Sequence, residues 1–253
     1  METRTKVRPL LCELHAHTTW SDGSLSVPEL VDVYGRRGFD VLCVTDHILA
    51  ADDPWLGEQS GAGASILLDE GSWPAYLDEI EREATRAQER YGLVVIPGAE
   101  LTLNHENPDR AAHAVAVGLR SFVSLDDGIE GALRAARAHG AGLIAAHPHD
   151  SDGPDLIPFR TTRRFWHEQA LLAPLVDRSE LFNRHDLFGW VAEAGFPVVA
   201  NGDFHRIEHV ATWKTLLPCA KEEHAVLAYL SSARPAYLTR LDDEPKTATL
   251  AAA

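Results

Sequence analysis

The stretch ELHAHTTWSDGSLS, residues 13–26, combines the end of an apolar run, two histidines, an Asp-Gly turn and a helix start. His15 and His17 are two residues apart, so in a strand both side chains point to the same face. Burying two imidazoles on one face is costly unless their lone pairs are taken up, which a metal ion does directly. A hydrogen-bonded or surface pair of histidines is the alternative that this stretch alone leaves open.

The length suits one large domain or two small ones, and we expect a single one. The chain has 253 residues, of which 45% are hydrophobic, so it can bury a substantial core. We expect this domain over residues 1–239, followed by a loose tail over residues 240–253, where the sequence becomes small, polar and alanine-rich. Cys12, Cys43 and Cys219 lie in or beside apolar segments, which favours reduced thiols in the cytoplasm over a disulfide framework. No apolar run reaches the about 18 residues of a membrane helix, and we expect no membrane partner.

The charge pattern restricts the partners. The formal net charge is −15, and no block of lysine or arginine offsets it. Such a surface repels polyanions, so we expect no long nucleic acid as a partner. Histidine is unusually frequent, with 13 residues, which directs attention to metal binding or acid–base chemistry.

Short apolar runs alternate with amphipathic helical patterns, as in parallel α/β proteins. Helical stripes begin near Val27, Trp73, Ile129, Leu187 and Val226, and we expect capping boxes at Ser26/Glu29 and Ser124/Asp127. Buried strands favour a closed or nearly closed barrel, and an open doubly wound sheet is the alternative. Two long irregular segments, 48–72 and 148–164, are expected to be functional loops. The predicted strands are 10–14, 40–45, 93–100, 113–118, 142–147, 179–183 and 197–201.

Metal-capable side chains follow the predicted strands, at the end where barrels and α/β sheets gather their active sites. His113 instead begins its strand, but residues 101–112 are enough for a hairpin, which would return it to the same end as Glu100. A single histidine after a strand is more often a hydrogen-bonded cap than a ligand. Burying so many polar groups together without cations would nevertheless be prohibitive, so we predict a metal centre. Its members are His15, His17, Asp22, His47, Glu100, His113, His147, Asp203 and His205.

From about residue 10 to residue 206 the chain resembles the polymerase and histidinol phosphatase (PHP) domain family of metal-dependent phosphoesterases. The motifs that carry the resemblance are HAHTTWSDG, VTDH, GAEL, HAVAVG, AHPH, ELFN and NGDFH. The resemblance implies a distorted (β/α)7 barrel with the metal site at the carboxyl ends of the strands. It also implies two or three divalent ions of zinc, manganese or iron.

The ligand sets follow from the resemblance. Many family members carry histidine where this chain has Asp22, and a carboxylate there still ligates. Glu100 would bridge the first two ions. The first ion would be bound by His15, His17, Glu100 and Asp203, the second by Glu100, His113 and His147, and the third by Asp22, His47 and His205.

The expected activity is hydrolysis of a small phosphate ester by a metal-bridging hydroxide in a trinuclear site. The substrate would be a phosphomonoester or a cyclic or other diester, including nucleotide-like ones. Glu100 and Asp203 are the predicted catalytic residues, and Asn183, Arg184 and Arg206 are predicted to bind phosphate. For each arginine, an ordinary surface ion pair is the alternative. Further candidates in the second long loop are Arg160, Arg163 and Arg164.

Three other functions are compatible with parts of this pattern. An amidohydrolase acting on C–N bonds also starts with H-x-H, but such enzymes commonly bridge their metals with a carboxylated lysine, where this chain has Glu100. A non-catalytic metal-binding module would show closed coordination, whereas nine ligands over three ions leave positions open. An exonuclease-like phosphodiesterase is the third, and the strong negative charge favours a free-standing enzyme on a small ester instead.

Overall fold

One curved sheet organises the fold. A computed structural model describes residues 8–53, 67–151 and 161–242. Within these residues the strand order is β11-β10-β1-β2-β4-β5-β6-β7-β8, with β3 paired to β4 and β9 paired to β7. The strands are β1 Leu10–Glu13, β2 Val41–Val44, β3 His47–Leu49, β4 Val94–Leu103, β5 Ala112–Val117, β6 Gly142–Ala146, β7 Arg178–Asn183, β8 Asp186–Leu187, β9 Val198–Asn201, β10 Trp213–Leu217 and β11 Tyr237–Arg240.

The strand directions bring most carboxyl ends to one side. Pairs β1–β2, β2–β4, β6–β7 and β7–β9 are parallel, whereas β5 runs antiparallel between β4 and β6. Beyond β1, Ala16 forms a parallel bridge with Phe204, and the His17 N–H donates to the Phe204 carbonyl at 2.8 Å. The segments that follow β1 and β9 are therefore neighbours. The result is an α/β fold with a curved sheet that is consistent with a distorted barrel.

Each of the seven predicted strands corresponds to an observed strand, but the structure describes four more. These are β3, β8, β10 and β11, of which β3 has three residues and β8 has two. Such short strands carry no readable alternation, and β10 (WKTLL) has no clear alternation either. The sevenfold repeat of strand and helix stays a prediction. The predicted domain boundary at residue 239 falls inside β11, and residues 243–253 of the predicted tail lie outside the described residues.

Helices cover the sheet with the stripes that the sequence predicts. In α1 the buried side chains are Val27, Leu30, Val31 and Tyr34. No helix of the described segments is long and apolar enough to cross a membrane. The helices are α1 Val27–Arg36, α2 Trp73–Tyr91, α3 Gly128–Ala138, α4 Arg164–His167, α5 Gln169–Leu172, α6 Gly189–Glu193 and α7 Glu223–Leu230, with 3-10 turns at Pro108–Arg110, Ala173–Leu175 and Ile207–Val210.

The capping predictions have different outcomes. The box at α1 is confirmed, since the Ser26 N–H donates to Glu29 at 2.9 Å. The box at Ser124 is wrong: Gly128 has φ of 79° and starts α3 after a turn, so the Ser124 hydroxyl accepts the Asp126 N–H instead. The helical assignment of Leu187 is also wrong. This residue lies in β8, where it pairs with Phe182 of β7, and it is 59% exposed.

An apolar layer lies below the strand ends that carry the metal-capable side chains. Ile96 precedes Glu100 by four residues and Val115 follows His113 by two, so each pair shares a strand face. Ile96 and Val115 belong to a buried cluster that also contains Cys12, Leu14, Cys43, Ile144 and Val199. The polar groups above it therefore have apolar side chains beneath them along the strands.

Arg178 connects the sheet to the last helix. It is buried, and its guanidinium donates to the carbonyls of Leu230 at 3.0 Å, Tyr229 at 2.9 Å and Ser232 at 2.8 Å. The first two carbonyls belong to the last turn of α7, where carbonyls have no intrahelical partner, and the third lies just beyond the helix. Arg178 therefore caps α7 from the strand beneath it.

We expect Arg178→Met to lower the free energy of unfolding by about 3 kcal/mol or more, because it removes a buried charged donor from the carbonyls of Leu230 and Ser232. Urea unfolding of the protein at fixed metal concentration measures this. The matched control is Arg137→Met: Arg137 is 42% exposed in its ion pair with Asp177, and its loss should cost at most about 1 kcal/mol. Equal effects of the two substitutions would show that Arg178 is not a cap.

Candidate metal centre

The structure brings all nine predicted ligands together at one end of the sheet. Their ligand atoms form three groups, and within each group these atoms lie within 4.8 Å of one another. His17 belongs to two groups, which the ligand sets expected from the sequence did not include. The groups are His15, His17 and Asp203; Glu100, His113 and His147; and His17, Asp22, His47 and His205.

Glu100 occupies the middle of the three groups. Its Oε1 lies 3.1 Å from His113 Nδ1 and 3.1 Å from His147 Nε2. Its Oε2 lies 3.3 Å from Nε2 of both His15 and His17. The two oxygens of this carboxylate thus face different histidine pairs, which is the arrangement that a bridging ligand requires.

The β4–β5 hairpin places His113. The register pairs Thr102 with His113 in antiparallel strands, so His113 returns to the end of the sheet where Glu100 lies. The hairpin prediction is therefore confirmed. A turn containing Pro108–Arg110 joins the two strands.

The third group forms the open side of the cluster. Asp22 Oδ2 lies 3.1 Å from His205 Nε2, and Asp22 Oδ1 lies 3.4 Å from His47 Nε2. The Asp22 and His205 side chains are 24% and 20% exposed, whereas His15 and His17 are fully buried. A ligand arriving from solvent therefore meets Asp22 and His205 first.

The backbone is strained around this cluster. Among described residues other than glycine, φ is positive only at His147 (31°), Asp203 (44°) and Arg184 (52°). Each such residue costs of order 1–3 kcal/mol and persists only where the surroundings hold it. All three lie at the site, as is typical of functional positions.

Two observations indicate that these side chains are suited to binding divalent cations. The Nε2 atoms of His15 and His17 face each other at 3.0 Å, a distance at which a cation can take both lone pairs. Glu100 Oε2 is buried and has no hydrogen-bond partner in the described part of the chain. Imidazole nitrogen with carboxylate oxygen is the donor set that zinc, manganese and iron accept.

Comparison with known proteins was made at the levels of sequence and structure. No protein-family model matches the chain. The chain is 25% identical over 221 residues to the DNA polymerase/3′-5′ exonuclease PolX of Bacillus subtilis. The match covers 83% of this chain and 37% of that protein. The chain thus spans just over a third of the length of this curated relative.

A two-domain protein of Bacteroides vulgatus, whose description names a PHP-like metal-dependent phosphoesterase, superposes with a TM-score of 0.61. The identity is 20%, and the match covers 95% of this chain and 70% of that one. The chain has a PHP-like fold. The resemblance inferred from the motifs is therefore confirmed at the level of the fold. An amidohydrolase from Chromobacterium violaceum, solved with sulfate, superposes with a TM-score of 0.49 at 17% identity, covering 77% of this chain and 87% of that one.

The electrostatics of the three groups favour the metal-binding forms of Glu100 and His17, whereas at His15 and His47 nearby carboxylates outweigh burial and raise the pKa. Burial raises the pKa of Glu100, but the charges of His47 and His15 outweigh it and leave the pKa well below its usual range. Burial, with His47 and His205 adding to it, lowers the pKa of His17 to about 3. At neutral pH the Glu100 carboxylate is therefore ionised and the His17 imidazole neutral, the forms in which both ligate metals.

A second set of contacts holds the histidines from outside. His15 Nδ1 lies 3.0 Å from Glu180 Oε1, His113 Nε2 lies 3.0 Å from Asn104 Oδ1, and His47 Nδ1 lies 2.7 Å from the Thr102 hydroxyl. Partners of this kind orient ligand imidazoles. The sequence analysis assigned no role to Glu180 or Asn104. The available signal for Glu180 was an acidic residue inside a predicted buried strand.

The predicted phosphate-binding residues lie in different surroundings. Arg184 is at the rim, 34% exposed, with Nη2 at 2.9 Å from Asp203 Oδ2 and 3.0 Å from His205 Nδ1. Asn183 is buried and its amide donates to Glu180 at 2.8 Å, while Arg206 is exposed. Their role in binding phosphate stays a prediction.

The arginines of the second long loop have carboxylate partners. Arg164 pairs with Glu130 and Glu168, and Arg163 Nε lies 3.1 Å from Asp109 Oδ1. Arg160 lies outside the described residues. Arg184 is therefore the described arginine that contacts two members of the candidate metal centre.

Proposed function

We propose that the chain is a metal-dependent hydrolase of small phosphate esters. The observation that carries the proposal is the position of Glu100, whose two carboxylate oxygens face His113 and His147 on one side and His15 and His17 on the other. Catalytic metal sites keep coordination positions open for water and substrate, and groups of three or four ligand residues are suited to this. The comparisons support a hydrolase of this broad type, since the structural neighbour is named as a PHP-like metal-dependent phosphoesterase.

The charge of the site favours an anionic substrate. Asp22, Glu100 and Asp203 are the carboxylates of the three groups. Three divalent ions would leave the centre with a charge of about +3, inside a chain whose net charge is −15. A phosphate ester is attracted to such a centre while the rest of the surface repels large polyanions.

Each side chain has a distinct task in this proposal. Glu100, Asp22 and Asp203, with the six histidines, would hold the ions. When bound, the ions would supply Lewis acidity toward the phosphoryl oxygens and a water of lowered pKa. Asp203 would accept a hydrogen bond from the attacking water, and Arg184 would donate to a phosphoryl oxygen. The Arg184 guanidinium also contacts the Asp203 carboxylate, which keeps both groups at the opening.

The test is phosphate release from a panel of phosphomonoesters and diesters, with the metal content measured in the same sample. We expect hydrolysis by the manganese- or zinc-loaded protein and none by Asp203→Asn. The matched control is Asp126→Asn, an exposed aspartate whose carboxylate accepts the Ala51 N–H, and it should retain full activity. Hydrolysis of amides or lactones in place of phosphate esters would contradict the proposal.

The amidohydrolase alternative receives no support from the lysines. Of the described lysines, Lys214 Nζ lies 2.9 Å from Glu13 Oε2, and Lys221 Nζ lies 2.8 Å from Asp40 Oδ1. Neither belongs to the three groups of potential ligands, and Glu100 takes the position between the groups. A carboxylated lysine bridge therefore has no candidate among the described residues.

A nuclease-like phosphodiesterase activity is the second candidate function. It is favoured by the sequence match to a polymerase that is named as a 3′-5′ exonuclease. Short oligonucleotides belong in the diester panel for this reason. Degradation of single-stranded DNA at a rate above that of every small ester would select this candidate, and we expect the reverse because the net charge is −15.

We expect Arg184→Ala to lower kcat/KM by about 30- to 150-fold, since one charge-assisted hydrogen bond to the transition state contributes roughly 2–3 kcal/mol. Arg184→Lys should restore only part of the rate, because it keeps the charge but loses the planar fork. Steady-state kinetics beside a metal assay measure both effects. Unchanged kinetics would show that Arg184 does not bind phosphate and would leave Arg206 as the candidate. Lost metal would show that Arg184 acts by holding Asp203.

We expect Asp22→Ala to affect mainly the third group. The groups around Glu100 and around His15 do not include Asp22, so part of the metal should remain while substrate affinity and rate fall. Elemental analysis with kinetics checks this, and Asp32→Ala, a substitution on α1 outside the three groups, is the control. Loss of all bound metal in Asp22→Ala would contradict the separate third group.

A further inference from the structure

Glu180 is a fully buried carboxylate on β7 with four hydrogen-bond donors around it. Its Oε1 accepts from Asn201 Nδ2 at 2.8 Å and lies 3.0 Å from His15 Nδ1. Its Oε2 accepts from the His147 backbone N–H at 2.7 Å and from Asn183 Nδ2 at 2.8 Å. Glu180 therefore joins residues from the ends of four different strand segments.

Two of these partners belong to different metal-ligand groups. His15 stands with His17 and Asp203, whereas His147 stands with Glu100 and His113. Glu180 holds His15 by its ring and His147 by its backbone. His147 has a positive φ of 31°, so the hydrogen bond to its N–H helps to fix a conformation that the chain would otherwise leave.

An ionised carboxylate is the side chain that suits this position. Each oxygen receives two donors, and a carboxylate offers about four lone-pair sites. A glutamine would present one oxygen and one NH₂ group. In either orientation its NH₂ group would face two donors, either His15 with Asn201 or His147 with Asn183. A buried carboxylate is costly to keep, which argues that Glu180 is retained for more than packing.

We propose that Glu180 is a positioning residue that sets the affinity of the centre for two of its ions at once. It keeps the proton of His15 on Nδ1, so that the Nε2 lone pair faces His17 and Glu100, and it holds the backbone that aims His147 at Glu100. The inference rests on the metal centre of the proposed function, but it does not require that the substrate be a phosphate ester.

The test is zinc binding by Glu180→Gln. Zinc is titrated into the metal-free protein against a chromophoric chelator. We expect two of the ions to bind about 10- to 100-fold more weakly than in the unaltered protein, the usual effect of losing an outer partner of a ligand. Long-range ¹H–¹⁵N spectra of the zinc-loaded protein should show His15 protonated on Nδ1, and the signal of this N–H should shift in the variant because its carboxylate acceptor is gone.

Asp40→Asn is the matched control, because it exchanges another buried carboxylate for an amide. Asp40 precedes β2, at the opposite end of that strand from His47, and pairs with Arg8 and Lys221. This variant should lose stability in urea while its zinc affinity and the His15 signature stay unchanged. If Glu180→Gln does not fold, Glu180→Asp keeps the charge but is too short to span His15 and His147, and the same loss of affinity is expected.

Unaltered zinc affinity in a folded Glu180 variant would overturn the inference, as would equal losses of affinity in the Glu180 and Asp40 variants. Weakened zinc binding in Glu180→Gln alone would support it. If the unaltered protein bound zinc in this way but hydrolysed no phosphate ester, the inference on Glu180 would stand and the proposed function would fall.

Discussion

Replacing Glu100 by alanine is expected to abolish hydrolysis, with kcat falling by about 10³-fold or more, because charge stabilisation of several kcal/mol depends on this side chain. Glu100 is buried and its oxygens lie within 3.3 Å of five histidine nitrogens, four of which belong to the group around His15 and the group around His113. No neighbouring carboxylate can replace a ligand that faces both groups. Elemental analysis should show at least one ion fewer per chain.

The control for Glu100→Ala is Glu81→Ala. Glu81 lies on α2, is 58% exposed and pairs with Arg120 on the surface. It should retain full activity and full metal content, and circular dichroism should show that both variants are folded. A Glu100→Ala protein with unchanged metal content and normal turnover would refute the assignment of the centre.

Removing the metals with a chelator is expected to abolish activity and to lower the melting temperature, and both should recover when manganese or zinc is returned. The physical reason for the lost stability is mass action: an ion present at a thousand times its dissociation constant stabilises the folded state by about 4 kcal/mol. Without the ions, the Glu100 and Asp203 carboxylates stay buried among histidines with no cation between them. Thermal unfolding and phosphate release, each with and without chelator, measure the two effects.

The Glu100→Ala variant also serves as the control for chelation. Because it should already bind at least one ion fewer per chain, its melting temperature should change less when chelator is added. Full activity in the presence of excess chelator, after dialysis against it, would show that hydrolysis does not depend on exchangeable ions. An equal melting shift in both proteins would show that the stabilising ion lies elsewhere.

The positions of the ligands were predictable because strand ends are local features. The apolar runs fix where β1 and β6 end, and His15 and His147 follow them, whereas Glu100 lies inside β4 near its carboxyl end. Parallel strands then bring these ends to one side without any knowledge of side-chain packing. The return of His113 was predictable for a similar reason, since the length of the 101–112 connection permits a hairpin and no helical crossover.

The outer contacts could not be read from the sequence. Whether Glu180 meets His15 depends on how β7 and β1 approach across the curved sheet, and the two residues are 165 positions apart. The orientation of Asn183 was likewise hidden. The strand register shifts between Glu180 and Phe182, and the Asn183 amide donates to Glu180. The positive φ values of His147, Asp203 and Arg184 also leave no trace in composition or periodicity.

Two local errors have a common cause. The pattern at Leu187 and the Ser124/Asp127 pair each matched a helical template, but a turn comes first in both places. Gly128 lies in the left-handed region, and Leu187 ends a tight β7–β8 hairpin. Short-range templates fail where a turn uses residues that also satisfy the helical spacing.

The most direct test of the metal centre is anomalous diffraction from crystals grown with manganese, recorded on both sides of the manganese absorption edge. We predict two or three anomalous peaks inside the three groups of potential metal ligands described above, with one peak between Glu100, His113 and His147 and one beside His15, His17 and Asp203. Each peak should lie about 2.0–2.3 Å from its ligand atoms. Crystals of active protein with no anomalous density within reach of Glu100 would contradict the account.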